Sequence, residues 1–227
     1  MARLILLTQR EFAPAVAPTL QAAGGNVTLA TTLTELEAAL AQPARVISFG
    51  SGIIVPAALL ARLSLGAYNF HPGPPEYPGI FPSVFALYAG EKNFGVTLHE
   101  MAAVVDSGPI VAVERFAIKP EWDRLALDTA TFTALTHLLA RCAGHLNDTN
   151  TPLAHASETW GTPRRTRKDF DALCRLPEDA SAEEFIRRYR AVGEGPEHAL
   201  TVSRFGRTFA LQPTRGGDVV RGGQKSI

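Results

Sequence analysis

The chain has 227 residues, with Lys plus Arg and Asp plus Glu at 22 each, so its formal net charge is zero. That balance excludes a surface built throughout for nucleic acid or anionic lipid. A hydrophobic share of 46% against 19% charged residues excludes a disordered chain and leaves enough apolar mass for one sizeable core. Two cysteines, Cys142 and Cys174, supply neither a disulfide framework nor a CxxC metal motif. The apolar run Leu4–Leu7 is too short for a signal peptide, and no stretch is long enough to span a membrane. The expectation is a cytoplasmic protein with no membrane partner.

In chain order, Arg3–Thr8 reads as a buried parallel strand and Ala13–Ala23 as a helix stopped by Gly24-Gly25. Asn26–Ala30 is a second strand and Leu33–Ala41 a second helix, with Thr32 or Thr34 as its cap. Arg45–Phe49 is a third strand, Ala57–Leu63 a helix behind Pro56, and Gly66–Phe70 a fourth strand. Alternating strands and helices at this spacing predict a Rossmann-like α/β fold: a mostly parallel sheet with helices on both faces. Beyond a Pro/Gly-rich loop, Ile80–Ala89 reads as a helix ended by Gly90. Gly95–His99 and Ile110–Ile118 read as strands of an antiparallel or mixed far edge, and Arg124–Leu146 as a long helix across the sheet. The polar stretch Thr151–Thr166 reads as a linker. Ser181-Ala-Glu-Glu184 opens a capped helix through Arg190, and His198–Val202 with Thr208–Gln212 form a hairpin. The expected division is therefore a main domain over 1–150, a linker over 151–168, and a small helix-and-hairpin appendage over 169–227 whose Gly-rich tail is mobile.

The chemistry is concentrated in Asn69-Phe-His71-Pro-Gly-Pro-Pro-Glu76-Tyr77-Pro-Gly79. Asn69 and His71 lie two apart at a strand end, so both side chains point to one face. The C-terminal edge of a parallel sheet is where open α/β folds place ligands. An amide and an imidazole together there can stabilise an oxyanion and move a proton. Read alone, a turn-capping Asn and a backbone-satisfied His explain these residues equally well. A second element, Gly95-Val-Thr-Leu-His99 leading to Asp106-Ser-Gly-Pro-Ile110, adds a carboxylate fixed at the mouth of a strand.

The ordered set N-x-H-P, Y-P-G, G-V-T-x-H and D-x-G-P-I resembles the N10-formyltetrahydrofolate-dependent formyltransferase superfamily. That superfamily includes methionyl-tRNA formyltransferases, glycinamide ribonucleotide transformylases and nucleotide-sugar N-formyltransferases. The resemblance implies that Asn69, His71 and Asp106 are catalytic, acting on the tetrahedral species formed when a neutral amine attacks the formyl carbon. In this reading Asn69 donates to the oxyanion, His71 stabilises it and shuttles protons, and Asp106 orients His71 or a water and takes the amine proton. The resemblance also places the folate donor against main chain of Gly52, Ile53 and Ile54 and of Ala103, Val104, Val105 and Asp106, with no metal. Bottom-up, a small residue at 52 lets a ring approach the backbone, and Ile53 and Ile54 offer it an apolar wall. The alternative for both isoleucines is ordinary core packing. Gly50-x-Gly52 is a poor dinucleotide signature, because Val55 stands where a third glycine is needed.

Two departures bear on the acceptor. Gly73-Pro-Pro-Glu76 replaces the family's Ser-Leu-Leu-Pro, and Thr8-Gln-Arg-Glu11 stands where transformylases carry a phosphate loop. The resemblance, the neutral charge and an appendage too small for a five-stranded OB barrel together favour a small-molecule amine, with a nucleotide-linked amino sugar first. Transfer to aminoacyl-tRNA, and a folate-binding or formyl-hydrolysing relative with no amine acceptor, are the alternatives; a homodimer is compatible with either. Arg164-Arg-Thr-Arg-Lys168 could hold a phosphate or form a solvated face, with Arg187 and Arg188 paired to Glu183 and Glu184. His99 reads as structural, Cys142 as core, and His137, His145, His155 and His198 have no assigned partner.

Overall fold

The computed structural model describes residues 3–194 and 199–212. The elements are β1 (Arg3–Thr8), α1 (Ala13–Ala22), β2 (Asn26–Ala30), α2 (Leu33–Ala39), β3 (Arg45–Phe49), α3 (Ala57–Leu60), β4 (Ala67–His71) and α4 (Pro82–Ala89). There follow β5 (Asn93–Glu100), β6 (Ile110–Ala117), α5 (Arg124–Asn147), α6 (Arg167–Cys174), α7 (Ala182–Val192), β7 (Thr201–Arg204) and β8 (Arg207–Ala210). A six-stranded sheet runs β2-β1-β3-β4-β5-β6. Its first four strands are parallel, and β5 and β6 join antiparallel.

The alternation of β1 divides the core. Leu4 and Leu6 face one layer, shared with Val16 and Leu20 of α1 and Leu135, Leu138 and Leu139 of α5. Ile5 and Leu7 face the other, shared with Leu36 of α2 and Leu59 of α3. Central strands buried on both faces read as unbroken apolar runs, which is why β1 and β3 are legible in the sequence. A third cluster joins Val84–Leu87 of α4 to Phe170 and Leu173 of α6, Ala191 and Val192 of α7, and Leu200.

Several elements differ from the sequence expectation. Helix α3 is a single turn and stops at Leu60, short of Leu63. Helix α6 was not expected; Thr166 and Asp169 form a reciprocal capping box at its start. Ser181 caps α7 by accepting from the Glu184 N–H. The Glu184 carboxylate instead takes both Arg187 and Arg188, so Glu183 is not their partner. Those two guanidiniums hold the Glu184 carboxyl down at about 2. The hairpin strands are shorter than expected, and His198 and the tail from residue 213 lie outside the described residues.

The stretch read as a linker lies against the protein. Ala156 N–H donates to Ile110 O, Gly161 N–H to Pro75 O, and Arg165 N–H to Pro78 O. The segment thereby straps the loop that follows β4. Among the described residues no helix is long and apolar enough to cross a membrane.

Candidate active site

Strand β4 delivers Asn69 and His71 to the C-terminal edge of the parallel strands, where β5 pairs with it in the register Asn69↔His99 and His71↔Thr97. The loop after His71 is held on both sides. Thr97 Oγ1 donates to Gly73 O at 2.8 Å, and His71 Nε2 lies 3.0 Å from Tyr77 O. A carbonyl can only accept, so Nε2 carries hydrogen in that contact. The other ring nitrogen, Nδ1, lies 3.3 Å from Asp106 Oδ2.

Asp106 stands in the left-handed region at φ 48. Its neighbours enforce that conformation: Gly79 N–H donates to Oδ2 at 2.9 Å, and Arg164 Nη2 donates to its backbone oxygen at 3.3 Å. Gly108 explains part of the D-x-G-P-I motif, since a Cβ there would run into Glu100 O. Gly79 is similarly required: at φ 100 its missing Cβ makes room for the backbone of Arg165.

His99, read from sequence as structural, belongs to the site. Its Nε2 lies 3.1 Å from Asn69 Nδ2 and 3.3 Å from Asp106 Oδ1, while Nδ1 donates to Glu100 O at 2.7 Å. Trp160 was also missed. Its ring meets those of His71 and His99 nearly perpendicularly, at 5.6 and 5.0 Å. His99's place across from Asn69 emerges only from the register of an antiparallel pair, and a lone Trp in a polar stretch offers no signal.

His71 and His99 are each 2% exposed and Asp106 3%. Burial holds the His71 imidazole below its ordinary value, against the pull of Asp106. Burial pushes the Asp106 carboxyl up, but His99, His71 and the Gly79 N–H together bring it below its ordinary value. The pair thus rests as a carboxylate beside a neutral imidazole. Their facing lone pairs make the Nδ1–Oδ2 contact favourable for one incoming proton.

Two cavities meet at this cluster. One, about 380 Å³, is lined by Ile53, Ile54, Val55, Leu60 and Met101 on the α3 side. The other, about 540 Å³, is lined by Phe12, Phe81, Ser83, Arg124, Asp128 and Phe132 on the α1–α5 side. Both are walled by Ser51, Gly52, Asn69, Gly79, Val105 and Asp106. Of the expected donor-binding residues, Gly52, Ile53, Ile54, Val105 and Asp106 therefore line the smaller cavity. Ala103 and Val104 do not; they sit on its outer turn, where Val104 O accepts from Ser107 Oγ. Ile54 is 72% exposed, which removes the core-packing explanation for it. A Cβ at Gly52 would meet nothing within 4 Å, so a ligand ring can approach the main chain there.

Arg164 and Arg165 also line the smaller cavity, and several other basic residues have local partners. Arg165 lies over the Phe85 ring at 4.9 Å and Arg167 pairs with Asp171 at 3.0 Å. His155 pairs with Glu100 at 2.9 Å and His137 approaches Glu114 at 3.7 Å. Cys142 is buried in the core, as expected. Among the described residues no group of three His, Cys, Asp or Glu side chains could hold a metal ion.

Fold and site define a class: an open α/β protein whose sheet edge carries an Asn, a His–Asp pair and a two-sided cleft. The formyl transferase family model matches residues 22–141. Methionyl-tRNA formyltransferase of Thermus thermophilus is 32% identical over 146 residues, covering 64% of this chain and 46% of that protein. The chain thus spans about half the length of the curated relatives it matches. A sugar N-formyltransferase from a Shewanella species superposes at TM-score 0.73 with 18% identity, covering 96% of this chain and all of that one. The formyltransferase PseJ from Anoxybacillus kamchatkensis, solved with UDP-4,6-dideoxy-4-formamido-L-AltNAc and tetrahydrofolate, superposes at 0.62 with 17% identity, covering 76% and 89%. The chain belongs to the formyl transferase family.

Proposed function

We propose that this protein transfers a formyl group from N10-formyltetrahydrofolate to the primary amine of a small acceptor, with a nucleotide-linked amino sugar as the favoured class. The observation that carries the reading is the meeting of two cavities at Asn69 and Asp106. The smaller, with apolar walls and open main chain at Gly52, suits a flat heterocycle such as the pterin of the donor. The larger combines aromatic faces at Phe12 and Phe132 with Ser83, Asp128 and Arg124. That mixture suits a sugar ring, which presents apolar faces and a rim of hydroxyls. Ser83 Oγ donates to Asp128 at 2.6 Å and Arg124 pairs with it at 2.8 Å, so these polar groups are held in place. Similarity to a sugar N-formyltransferase fold and to a structure containing a nucleotide sugar and tetrahydrofolate supports the same reading.

The chemistry follows from the cluster. One Asn69 N–H is directed to His99, which leaves the second to stabilise the oxyanion that develops as the amine attacks. A bond forms between acceptor nitrogen and formyl carbon, and the bond from that carbon to N10 breaks. The attacking amine loses one proton and N10 gains one. The Nδ1–Oδ2 contact of His71 and Asp106 accepts the first and returns the second, so the protein ends in its starting state.

The test is incubation with N10-formyltetrahydrofolate and a panel of amines, following release of tetrahydrofolate. Release with an amino sugar nucleotide is the expected result. Release only with charged initiator tRNA, which the 32% identity to a methionyl-tRNA formyltransferase makes the second reading, overturns the acceptor. Formate appearing without any amine would instead make the protein a hydrolase.

A further inference from the structure

Trp160 has no role in the proposed transfer, yet it is fixed against the two histidines of the cluster. Its Nε1–H donates to Gly108 O at 2.8 Å, two residues beyond Asp106. Its ring lies 5.6 Å from His71 and 5.0 Å from His99, near perpendicular to both. It lines neither of the two cavities that meet at Asn69 and Asp106. The strap that carries it is anchored by main-chain bonds on both sides, Ala156 to Ile110 and Gly161 to Pro75.

We propose that Trp160 is a positioning residue: the strap presses its indole against the side of His71 and His99 away from the cavities, so that water is excluded there and protons enter and leave only where substrates bind. The neutral state of His71 depends mainly on burial, and the indole supplies part of that burial. The charged groups around His71 do not provide a substitute. Asp106 and His99 touch the cluster directly, and Arg164 reaches only the Asp106 backbone oxygen. The Glu100–His155 pair stands at the entrance of the strap, and Asp128 with Arg124 line the larger cavity that His71 also lines. Admitting water behind His71 therefore raises its proton affinity toward that of a free imidazole.

Two measurements test this. The chain has two Trp residues, so Trp122→Phe leaves Trp160 as the sole indole. A protonated imidazole in contact with an indole quenches its emission. Emission that falls on acidification before unfolding, with a midpoint altered by His71→Asn, is expected. Emission insensitive to pH while circular dichroism shows a folded chain overturns the proposal. This arm is independent of the proposed function. The second arm rests on that reading. Trp160→Ala should move the acid limb of kcat upward by about one pH unit, a tenfold change in the His71 protonation equilibrium. Donor KM should stay within about twofold, and Trp160→Phe should restore the wild-type profile. An Ala variant with the wild-type profile overturns the proposal even if its kcat is reduced.

Discussion

Asn69 on β4 stands directly across from His99 on β5, and its amide nitrogen lies 3.1 Å from His99 Nε2. The bond from His99 Nδ1 to Glu100 O fixes the ring so that Nε2 faces both the Asn69 amide nitrogen and, at 3.3 Å, Asp106 Oδ1. In the proposed transfer, the amide that stabilises the oxyanion is therefore oriented by an imidazole and not by a turn.

Removing that donor should cost rate and little affinity. Asn69→Ala is expected to lower kcat by about 10²–10³-fold, the range for loss of one oxyanion donor. Asp106→Asn, which cannot accept the amine proton, should be at least as damaging. Tetrahydrofolate affinity, followed by fluorescence titration, should stay near wild type in both. Equal losses of kcat and affinity would assign these residues to binding.

Gly79 connects the loop after β4 to the strap. Its N–H bonds Asp106 while a Cβ would collide with the backbone of Arg165. Gly79→Ala is expected to destabilise the protein by about 1–3 kcal/mol through overpacking and strain. Activity should fall further than the thermal unfolding midpoint alone accounts for, because Asp106 loses a hydrogen bond.

Arg45 is 2% exposed and donates to the backbone oxygens of Leu65, His145, Leu146, Asp148 and Thr151. It satisfies carbonyls at the C-terminal end of α5, which carries partial negative charge. Arg45→Leu should destabilise by about 3 kcal/mol or more, since five buried or half-buried acceptors lose a charged donor at once. Denaturant titration would show it; a shift under about 0.5 kcal/mol, the level of an ordinary surface change, would contradict this account.

Acidification should weaken the fold in two stages. His71 has a lowered affinity for protons in the folded state, so below about pH 6.5, the unfolded value, the unfolded chain binds more protons and stability falls with falling pH. Asp106 is also lowered. Its contribution is complete above about pH 3.9 and is lost as pH drops through the folded value. His71→Asn should abolish the first stage only, which unfolding midpoints across pH would reveal.

Local pattern made much of this legible. The apolar runs of β1 and β3 match the sequence expectation end to end, because both-face burial leaves no ambiguity of period, and β2 matches as well although it is a partly exposed edge strand. Asn69, His71 and Asp106 were found by motif, and the structure brings them together. Helix α6 escaped notice because its apolar residues, Phe170, Leu173 and Cys174, are few and its start is dominated by Arg and Lys; Thr166-x-x-Asp169 was the available signal. His99 and Trp160 were hidden for a different reason. Their roles depend on strand register and on a long segment returning across the loop, which no local spacing encodes.

In the proposed transfer, the two-sided cleft governs the order of events as well as the chemistry. Asn69 and Asp106 are approached from the α3 face and from the α1–α5 face at once. Neither reactant has to depart before the other arrives, and the formyl carbon can pass directly between two nitrogens without being parked on the protein. Initial-rate plots at several fixed concentrations of the second reactant should then intersect, as they do for a ternary complex, and not run parallel.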